Sequence, residues 1–316
     1  MSPTGRNDKI MRRLLFGRGA RGGIICSIQR RLAAGAYYYA GALDGQYGGR
    51  TERAVTAFQQ NANLPANGAI DDGTWSMLMQ QPLPTLFERA LQITAAFEGH
   101  EFSTIQGNWD GAWLTWGVIG FTLKHGELTK ILLSVATSHP AVLSGAFGEQ
   151  TPTLLQALRA SAPQQEAWAN SISDGAAVKE PWRSGFQRLG EQPVVQAAQL
   201  ERARHAYFAP ALRTAAACRL SSERGLALCF DIHVQNGGIN NVARAAILQH
   251  PAADEQARRI AIAHAVADAA KAEFREDVRA RKLTLANGTG TVHGEVFATD
   301  RWGLGEYAAQ EWSAGP

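Results

Sequence analysis

Two prolines bracket a single leucine in the segment Gln80–Thr85. Proline lacks a backbone donor and restricts the residue before it, so a helix from either side ends at this segment. The segment therefore predicts a linker at residues 81–85, between a small module at residues 21–80 and a large domain at residues 86–316. At 316 residues the chain is long enough for both.

The composition is that of a packed protein, with 45% hydrophobic and 19% charged residues. Its apolar runs fall short of the roughly 18–20 residues of a spanning helix, so we expect no integral membrane segment. The N-terminus lacks the apolar stretch and cleavage site of a secretory signal. The cysteines, at positions 26, 218 and 229, have no CxxC spacing and predict free thiols.

Basic residues crowd the N-terminus of a chain whose net charge is only +3. Residues 1–31 hold eight basic residues against Asp8 alone. We interpret residues 1–20 as a basic arm. Such an arm is attracted to a polyanion such as nucleic acid, anionic lipid or an anionic wall polymer, although a solvated flexible leader fits the pattern equally.

Helical periodicity dominates the large domain. A helix beginning near Ser221 is apolar nearly all round and predicts the buried core, so Asp231 and His233 within it need partners. The clearest strand pattern is Thr115–Phe121. Amphipathic or surface helices are predicted at Phe87–Phe97, 191–217 and 254–283.

The small module carries a motif that resembles the three-helix peptidoglycan-binding domain of many cell-wall hydrolases. The motif runs through Ile25…Leu32, Leu43-Asp-Gly-Gln-Tyr-Gly48, Thr51…Gln59 and Leu64…Leu78. A unit this small leaves no room for a deep active site, so we expect a targeting module, with a purely structural subdomain as the alternative. The resemblance implies wall-binding residues at Tyr37, Tyr38, Tyr39, Asp44, Tyr47 and Trp75. The three consecutive tyrosines fit either a sugar-stacking surface or a cover for the core.

Two carboxyl groups suit the hydrolysis of a wall glycan. The reaction needs a protonated acid in apolar surroundings and an ionised base in wetter ones. Glu98 follows Ala-Ala-Phe at the end of an apolar helix, whereas Asp110 lies in the loop Gly107–Gly111. A helix-end surface carboxylate and an Asx-turn residue are the alternative interpretations of Glu98 and Asp110. Glu101 is a rival acid in a more polar run.

The segment around Asp110 resembles the chitosanase-type glycoside hydrolases, which belong to the mostly helical, two-lobed lysozyme-like superfamily. Asp110-Gly-Ala-Trp-Leu-Thr-Trp-Gly-Val-Ile-Gly-Phe121 is similar to their Asp-Gly-x-x-x-Thr-x-Gly-Ile-x-Gly-Phe pattern. The resemblance extends more weakly over residues 86–283. The expected fold is therefore mainly α, a three-helix module followed by a two-lobed catalytic domain with a minor β component.

The resemblance implies a role for each matching residue. Glu98 is the general acid, Asp110 the general base, and Thr115 holds the attacking water. Asp231 and Arg281 belong to the network behind the acid. Such enzymes invert the anomeric centre, which requires carboxyl groups roughly 6.5–9.5 Å apart. His100 is interpreted as a residue that tunes Glu98 or as a solvent-facing loop histidine.

Substrate contacts are expected from tryptophans and from one further acid. Indole rings stack on sugars, so three tryptophans near Asp110 are candidate platforms, with at least one expected in the core. Glu127 matches the position that reads the sugar amine of chitosan. The sequence departs from the family pattern in a shorter loop before Asp110, in Ala112 where a basic residue is usual, and in Glu295 where a late arginine is expected. These departures weaken the chitosan specificity more than the hydrolytic chemistry. The candidate platforms are Trp109, Trp113 and Trp116.

Other chemistries lack their motifs. The eight histidines form no HExxH and no metal-type pair, and no G-x-S-x-G occurs. We therefore expect neither a metal nor a cofactor.

The leading hypothesis is a peptidoglycan hydrolase of the muramidase type, an endolysin-like enzyme or an injected antibacterial effector. The alternatives are a chitosanase with a wall-targeting module, a lytic transglycosylase, which needs an acid but no base, and a non-catalytic wall-binding protein. The expected partners are glycan strands, with a holin or secretion machinery and an immunity protein, and no nucleic acid. We expect a monomer made in the cytoplasm that acts on the wall, in the periplasm or outside the cell, after release or injection.

Overall fold

A computed structural model describes residues 13–37, 43–249 and 252–309 of the chain. Within these ranges it is mainly helical, with fifteen α-helices and nine short strands, which confirms the predicted fold class. Residues 1–12 of the predicted arm, and Tyr38 and Tyr39, lie outside the described residues.

The chain forms two compact units. The first collects the chain up to Ile93, Leu220–Leu228, and the segment from Ala245 onward; the second comprises Thr94–Arg219 and Cys229–Arg244. This division differs from the predicted boundary at residues 81–85, because the C-terminal segment shares a unit with the N-terminal module.

The N-terminal part of the first unit is a three-helix module with a two-stranded antiparallel sheet. Strand β1 pairs with β2, and β1 falls inside the predicted basic arm, so the folded module begins before residue 21. The apolar face of α1 is buried through Ile25, Ile28 and Leu32. The elements are β1 (Leu14–Phe16), α1 (Gly23–Ala34), α2 (Gly49–Asn61), β2 (Ile70–Asp71) and α3 (Asp72–Met79).

The next helix, α4 (Leu86–Glu98), confirms the amphipathic pattern predicted at Phe87–Phe97. It precedes an antiparallel sheet of β3 (Ile105–Gln106), β4 (Thr115–Trp116) and β5 (Phe121–Thr122). The single strand predicted at Thr115–Phe121 was wrong. Gly117 and Gly120 have φ of +90° and +67°, a conformation that favours glycine, and they turn the chain back between β4 and β5.

Helices make up most of the second unit. A π-helical turn at Arg204–Phe208 separates α10 from α11, so the helix predicted at 191–217 is interrupted. The elements are α5 (Glu127–Ser138), α6 (Pro140–Phe147), α7 (Thr151–Arg159), α8 (Ala162–Ile172), β6 (Ser173–Asp174), β7 (Ala177–Val178), α9 (Trp182–Gly190), α10 (Pro193–Ala203) and α11 (Ala209–Ala217).

Helix α12 (Glu223–Asn236) confirms the predicted core helix, since Leu228, Phe230 and Ile232 are fully buried. The predicted need for a partner is met at His233, whose Nε2 lies 2.8 Å from Thr214 Oγ1. Burial lowers the pKa of His233, and the charge of Arg213 lowers it further.

The C-terminal part of the first unit contains α14, α15 and a β-hairpin, and it follows α13 (Asn241–Gln249). The helix predicted at 254–283 is broken between α14 and α15. Both helices are more buried than a surface helix, because Arg259, Arg281 and Lys282 have at most 2% of their surface exposed. The elements are α14 (Glu255–Asp268), α15 (Arg275–Asn287), β8 (Thr289–Val292) and β9 (Glu295–Ala298).

Within the described ranges, no single helix combines the length and hydropathy needed to cross a membrane. The pair Glu127–Ser138 and Pro140–Arg159, bent by 114°, meets those criteria only when its two members are taken together. Cys26, Cys218 and Cys229 are not paired in disulfides.

Candidate active site

One face of the β3–β5 sheet carries a row of polar side chains. Gln106 lies opposite Thr115, and Thr115 lies opposite Thr122, so the three side chains share a face. Trp109 Nε1 donates to Gln106 Oε1 at 3.3 Å, and Thr122 Oγ1 lies 2.8 Å from His125 Nδ1. We call these five residues the Thr115 row. The sequence analysis did not predict Gln106 and His125 as site residues. The alternation of side chains along a strand around Thr115 could have indicated Gln106.

The three candidate tryptophans occupy different environments. Trp116 is fully buried on the opposite face of the sheet, and its indole N–H donates to the carbonyl oxygen of Phe186 at 3.2 Å. Trp116 is therefore not a sugar platform, which confirms the expectation that at least one of the three tryptophans lies in the core. Trp113 is also buried, with 8% of its surface exposed, and leaves little ring face for a sugar. Trp109 is 60% exposed and presents a ring beside the row.

The loop that carries Asp110 is held by the β6–β7 hairpin. The Gly107 N–H donates to the carbonyl of Ala176 at 2.9 Å, and a side chain at Gly107 would collide with Ser173 and Gly175. The Asn108 side-chain amide donates to Asn170 Oδ1 at 2.7 Å. These contacts fix the loop on one side of the Thr115 row.

Asp110 is exposed and takes part in an Asx turn. Its Oδ1 accepts a hydrogen bond from the Ala112 N–H at 3.0 Å, which is the alternative contact expected for an Asp-Gly pair. Lys124 Nζ donates to the carbonyl of Gly111 at 3.0 Å. The exposed position matches the wetter environment expected of a base.

Glu98 is the last residue of α4 and is half-buried beside the buried Phe97. Gly99, with φ of +67°, ends the helix, and the His100 N–H donates to the carbonyl of Ala95 at 3.2 Å. The helix therefore ends at Glu98, and the Gly99 conformation and the His100–Ala95 hydrogen bond fix the direction in which the chain continues.

His100 connects this helix end to the sheet. Its Nδ1 and the Cγ2 of Thr115 each lie 3.0 Å from the point that a Cβ on Gly120 would occupy. His100 is half-buried against Gly120 in a loop, and its tuning of Glu98 stays a prediction. The end of the Glu98 helix thus borders the Thr115 row.

Gln199 braces the turn between β4 and β5. This fully buried side chain accepts from the Val118 N–H at 3.0 Å and donates to the Phe102 carbonyl at 2.9 Å. A side chain at Gly117 would collide with Gln199. The buried amide therefore keeps the turn, and with it Thr115, in a fixed position.

Glu127 does not present a free carboxylate. Arg202 donates to both of its oxygens, with the Nη2–Oε1 contact at 3.1 Å, and Lys130 Nζ donates at 2.8 Å. Burial opposes ionisation, but the hydrogen bonds from Arg202 and Lys130 outweigh it and lower the pKa of Glu127. Burial, with the charge of Glu127, raises the pKa of neighbouring Tyr207 to about 12.

The two residues predicted to support the acid are both buried, Asp231 on α12 and Arg281 on α15. They belong to different compact units, and their supporting role stays a prediction. Among the described residues, no group of three or more His, Cys, Asp or Glu side chains is placed to hold a metal ion.

In the N-terminal module, two predicted wall-binding residues are structural instead. Tyr47 is buried and donates to the Gly68 carbonyl at 2.8 Å, and Trp75 is buried with its indole N–H on the carbonyls of Gln81 and Pro82. Buried rings cannot stack on a wall polymer, so both predictions were wrong.

The other two described candidates also make contacts within the module. Asp44 is exposed, and its Oδ1 accepts from Gln29 and from the Gln46 N–H, both at 2.9 Å, which lowers its pKa. Tyr37 packs edge-on against Phe58 with ring centroids 5.5 Å apart. Tyr37 therefore packs against helix α2 of the module.

Residues 21–78 match the family described as putative peptidoglycan binding domain, and residues 92–265 match glycosyl hydrolase family 46. No curated protein matches the chain. Several solved structures share its fold, among them two chitosanases. A chitosanase from Gynuella sunshinyii in complex with chitotetraose is 16% identical with a TM-score of 0.51, covering 69% of this chain and 98% of that one. A mutant chitosanase from Bacillus subtilis complexed with 6 GlcN is 18% identical with a TM-score of 0.50, covering 67% and 96%.

Proposed function

Because the chain belongs to glycosyl hydrolase family 46, we propose that it hydrolyses a β-1,4-linked aminosugar polymer with Glu98 as general acid and Asp110 as general base. One observation supports this assignment above the others. The Glu98 helix end reaches the Thr115 row through His100 and Gly120, and the Asp110 loop reaches it through Trp109 and Gln106.

In the proposed reaction, Glu98 donates its proton to the glycosidic oxygen as the bond from that oxygen to the anomeric carbon breaks. A water held by the Thr115 hydroxyl attacks the opposite face of the sugar, and Asp110 accepts its proton. The single displacement inverts the anomeric centre and requires carboxyl groups roughly 6.5–9.5 Å apart.

Two substrates are candidates. The solved structures that share the fold are complexes with chitotetraose and with 6 GlcN, which favours chitosan as the first candidate substrate. The protein would then be a chitosanase that carries a wall-targeting module. The N-terminal domain at residues 21–78 favours peptidoglycan as the second, since that domain type suggests binding of wall glycan. A peptidoglycan substrate would place the enzyme at the cell wall, where its N-terminal domain would bind.

Parallel digestion of chitosan and purified sacculi, with mass spectrometry of the products, tests this function. We expect reducing-end oligosaccharides from at least one polymer. Anhydro-muropeptides would instead indicate a lytic transglycosylase and remove the role of Asp110. Binding to sacculi with no soluble product from either polymer would contradict any hydrolase.

Trp109→Ala is expected to raise KM about two- to tenfold with little change in kcat, since one aromatic contact contributes about 0.5–1.5 kcal/mol. The ring is exposed, and a hydrogen bond to Gln106 orients it beside the proposed base. Steady-state kinetics on soluble oligosaccharides measures the effect. Trp109→Phe should keep most of the affinity, because a stacking face remains. An unchanged KM in Trp109→Ala would show that the ring is not a sugar platform.

A further inference from the structure

We propose that Arg202 and Lys130 set the substrate preference of this site by neutralising Glu127, so that N-acetylated sugars are favoured over sugars with free amines. The inference rests on the proposed function and narrows its substrate class. It begins from the finding that the acid expected to read a sugar amine is already bound to two cations.

Glu127 lies close in sequence to the Thr115 row. It is the first residue of α5, two residues after His125, whose ring contacts Thr122. Tyr207, a neighbour of Glu127, packs its ring against Phe121 of β5 with centroids 6.3 Å apart, and Phe121 lies on the face of the sheet opposite to Thr122. These contacts put Glu127 beside the end of the strand that completes the sheet.

Both oxygens of Glu127 are occupied. Arg202 makes a bidentate contact with the carboxylate, in which Nε donates to one oxygen and Nη2 to the other. Lys130 Nζ is a third donor. The Glu127 side chain is only 13% exposed, and that of Arg202 is 28% exposed. The three donors use most of the roughly four lone-pair positions of a carboxylate. A sugar ammonium would therefore have to share Glu127 with two cations or displace a two-point guanidinium contact, which is a strong type of ion pair.

The local charge also disfavours an amine. One carboxylate faces two cations, so the cluster carries a net positive charge. Chitosan is polycationic, so the positive charge of this cluster repels each sugar amine that lies beside it. An N-acetylated sugar is uncharged and meets none. A glycan rich in N-acetyl groups therefore fits this cluster better than a fully deacetylated one.

The test compares two soluble chitosans, one fully deacetylated and one about half acetylated, as substrates of wild-type protein. We expect a higher kcat/KM on the half-acetylated polymer. Lys130→Met and Arg202→Met should each shift the ratio of the two kcat/KM values toward the deacetylated polymer by up to about fivefold, the effect of about 1 kcal/mol of charge interaction. The Lys130 side chain is 54% exposed, so this variant should fold even if Arg202→Met does not.

Arg183→Met is the matched control. Arg183 pairs with Glu180 at 2.7 Å in the same three-residue spacing as Lys130 and Glu127, and its side chain is 57% exposed, like the 54% of Lys130. The control should leave the ratio at its wild-type value. A wild-type preference for the deacetylated polymer would overturn the proposal, and so would a ratio in Lys130→Met equal to that of Arg183→Met.

A binding measurement tests the substrate preference independently of whether the protein hydrolyses the glycan. Calorimetry of Glu98→Gln with glucosamine and N-acetylglucosamine oligomers reads the preference without turnover. If wild-type protein cuts neither polymer, the hydrolase assignment fails, and the binding ratio still decides the preference. Tighter binding of the N-acetylated oligomer supports the role of the cluster, whereas equal or weaker binding overturns it.

Discussion

Glu98→Gln is expected to lower the rate of glycan hydrolysis by about a thousandfold, because a positioned general acid contributes roughly 10²–10⁴-fold to such a reaction. Glutamine has nearly the shape of glutamate but cannot deliver the proton. The residue is half-buried at the very end of α4, so the helix should form as before. Release of reducing ends measures the rate, and thermal unfolding checks the fold.

Glu101→Gln is the control for this experiment. Glu101 is an exposed carboxylate three residues further along the chain and is the rival candidate for the acid. The Glu101→Gln variant should keep a near-normal rate of glycan hydrolysis. The opposite pattern, with turnover lost in Glu101→Gln and kept in Glu98→Gln, would move the acid to Glu101.

Asp110→Asn tests the base in the same assay. The asparagine Oδ1 can still accept from the Ala112 N–H, so the loop should keep its turn while the basic group is lost. We expect a loss of turnover comparable to that of Glu98→Gln. Near-normal turnover would leave Asp110 with the turn as its only role.

The second large effect concerns stability. Glu223→Ala should lower the free energy of unfolding by about 3–5 kcal/mol, because breaking a buried ion pair leaves an uncompensated charge. The Glu223 side chain is 2% exposed and accepts from Arg13, from Arg89 at 3.0 Å and from the Gly305 N–H at 3.2 Å. The Arg89 side chain is only 5% exposed and would lose its carboxylate partner.

Urea unfolding followed by circular dichroism measures this loss. Because Glu223 contacts the start of the described chain, the α4 region and the C-terminal segment, the change should destabilise the whole first unit. Glu276→Ala is the control, since that side chain is 80% exposed and pairs with Arg279 on the surface of the same unit. It should leave the unfolding midpoint unchanged. A midpoint for Glu223→Ala equal to that of the control would contradict a structural role for the buried cluster.

Local patterns in the sequence predicted the helices well. The periodicity of Phe87–Phe97 and the apolar run of α12 fix which residues are buried within a single element, and the structure agrees with both. Strand β1 was missed, because Leu14–Phe16 acquires its pairing from Ile70–Asp71, far along the chain.

The site was predicted less completely, because its decisive contacts are nonlocal. Trp116, Tyr47 and Trp75 have the residue types of sugar platforms, and only tertiary packing reveals that they are buried. The ion pair that neutralises Glu127 joins it to Arg202, 75 residues away. A sequence pattern can indicate an acidic position there but not the partners of its charge.

A crystal structure of Glu98→Gln with a bound aminosugar oligosaccharide is the most direct test of the proposed chemistry. We predict that the side chain at position 98 contacts the glycosidic oxygen while Asp110 lies on the opposite face of the sugar, roughly 6.5–9.5 Å from it. A water between Asp110 and the anomeric carbon should contact the Thr115 hydroxyl. An oligosaccharide bound with either position 98 or Asp110 directed away from the scissile bond would contradict the assignment.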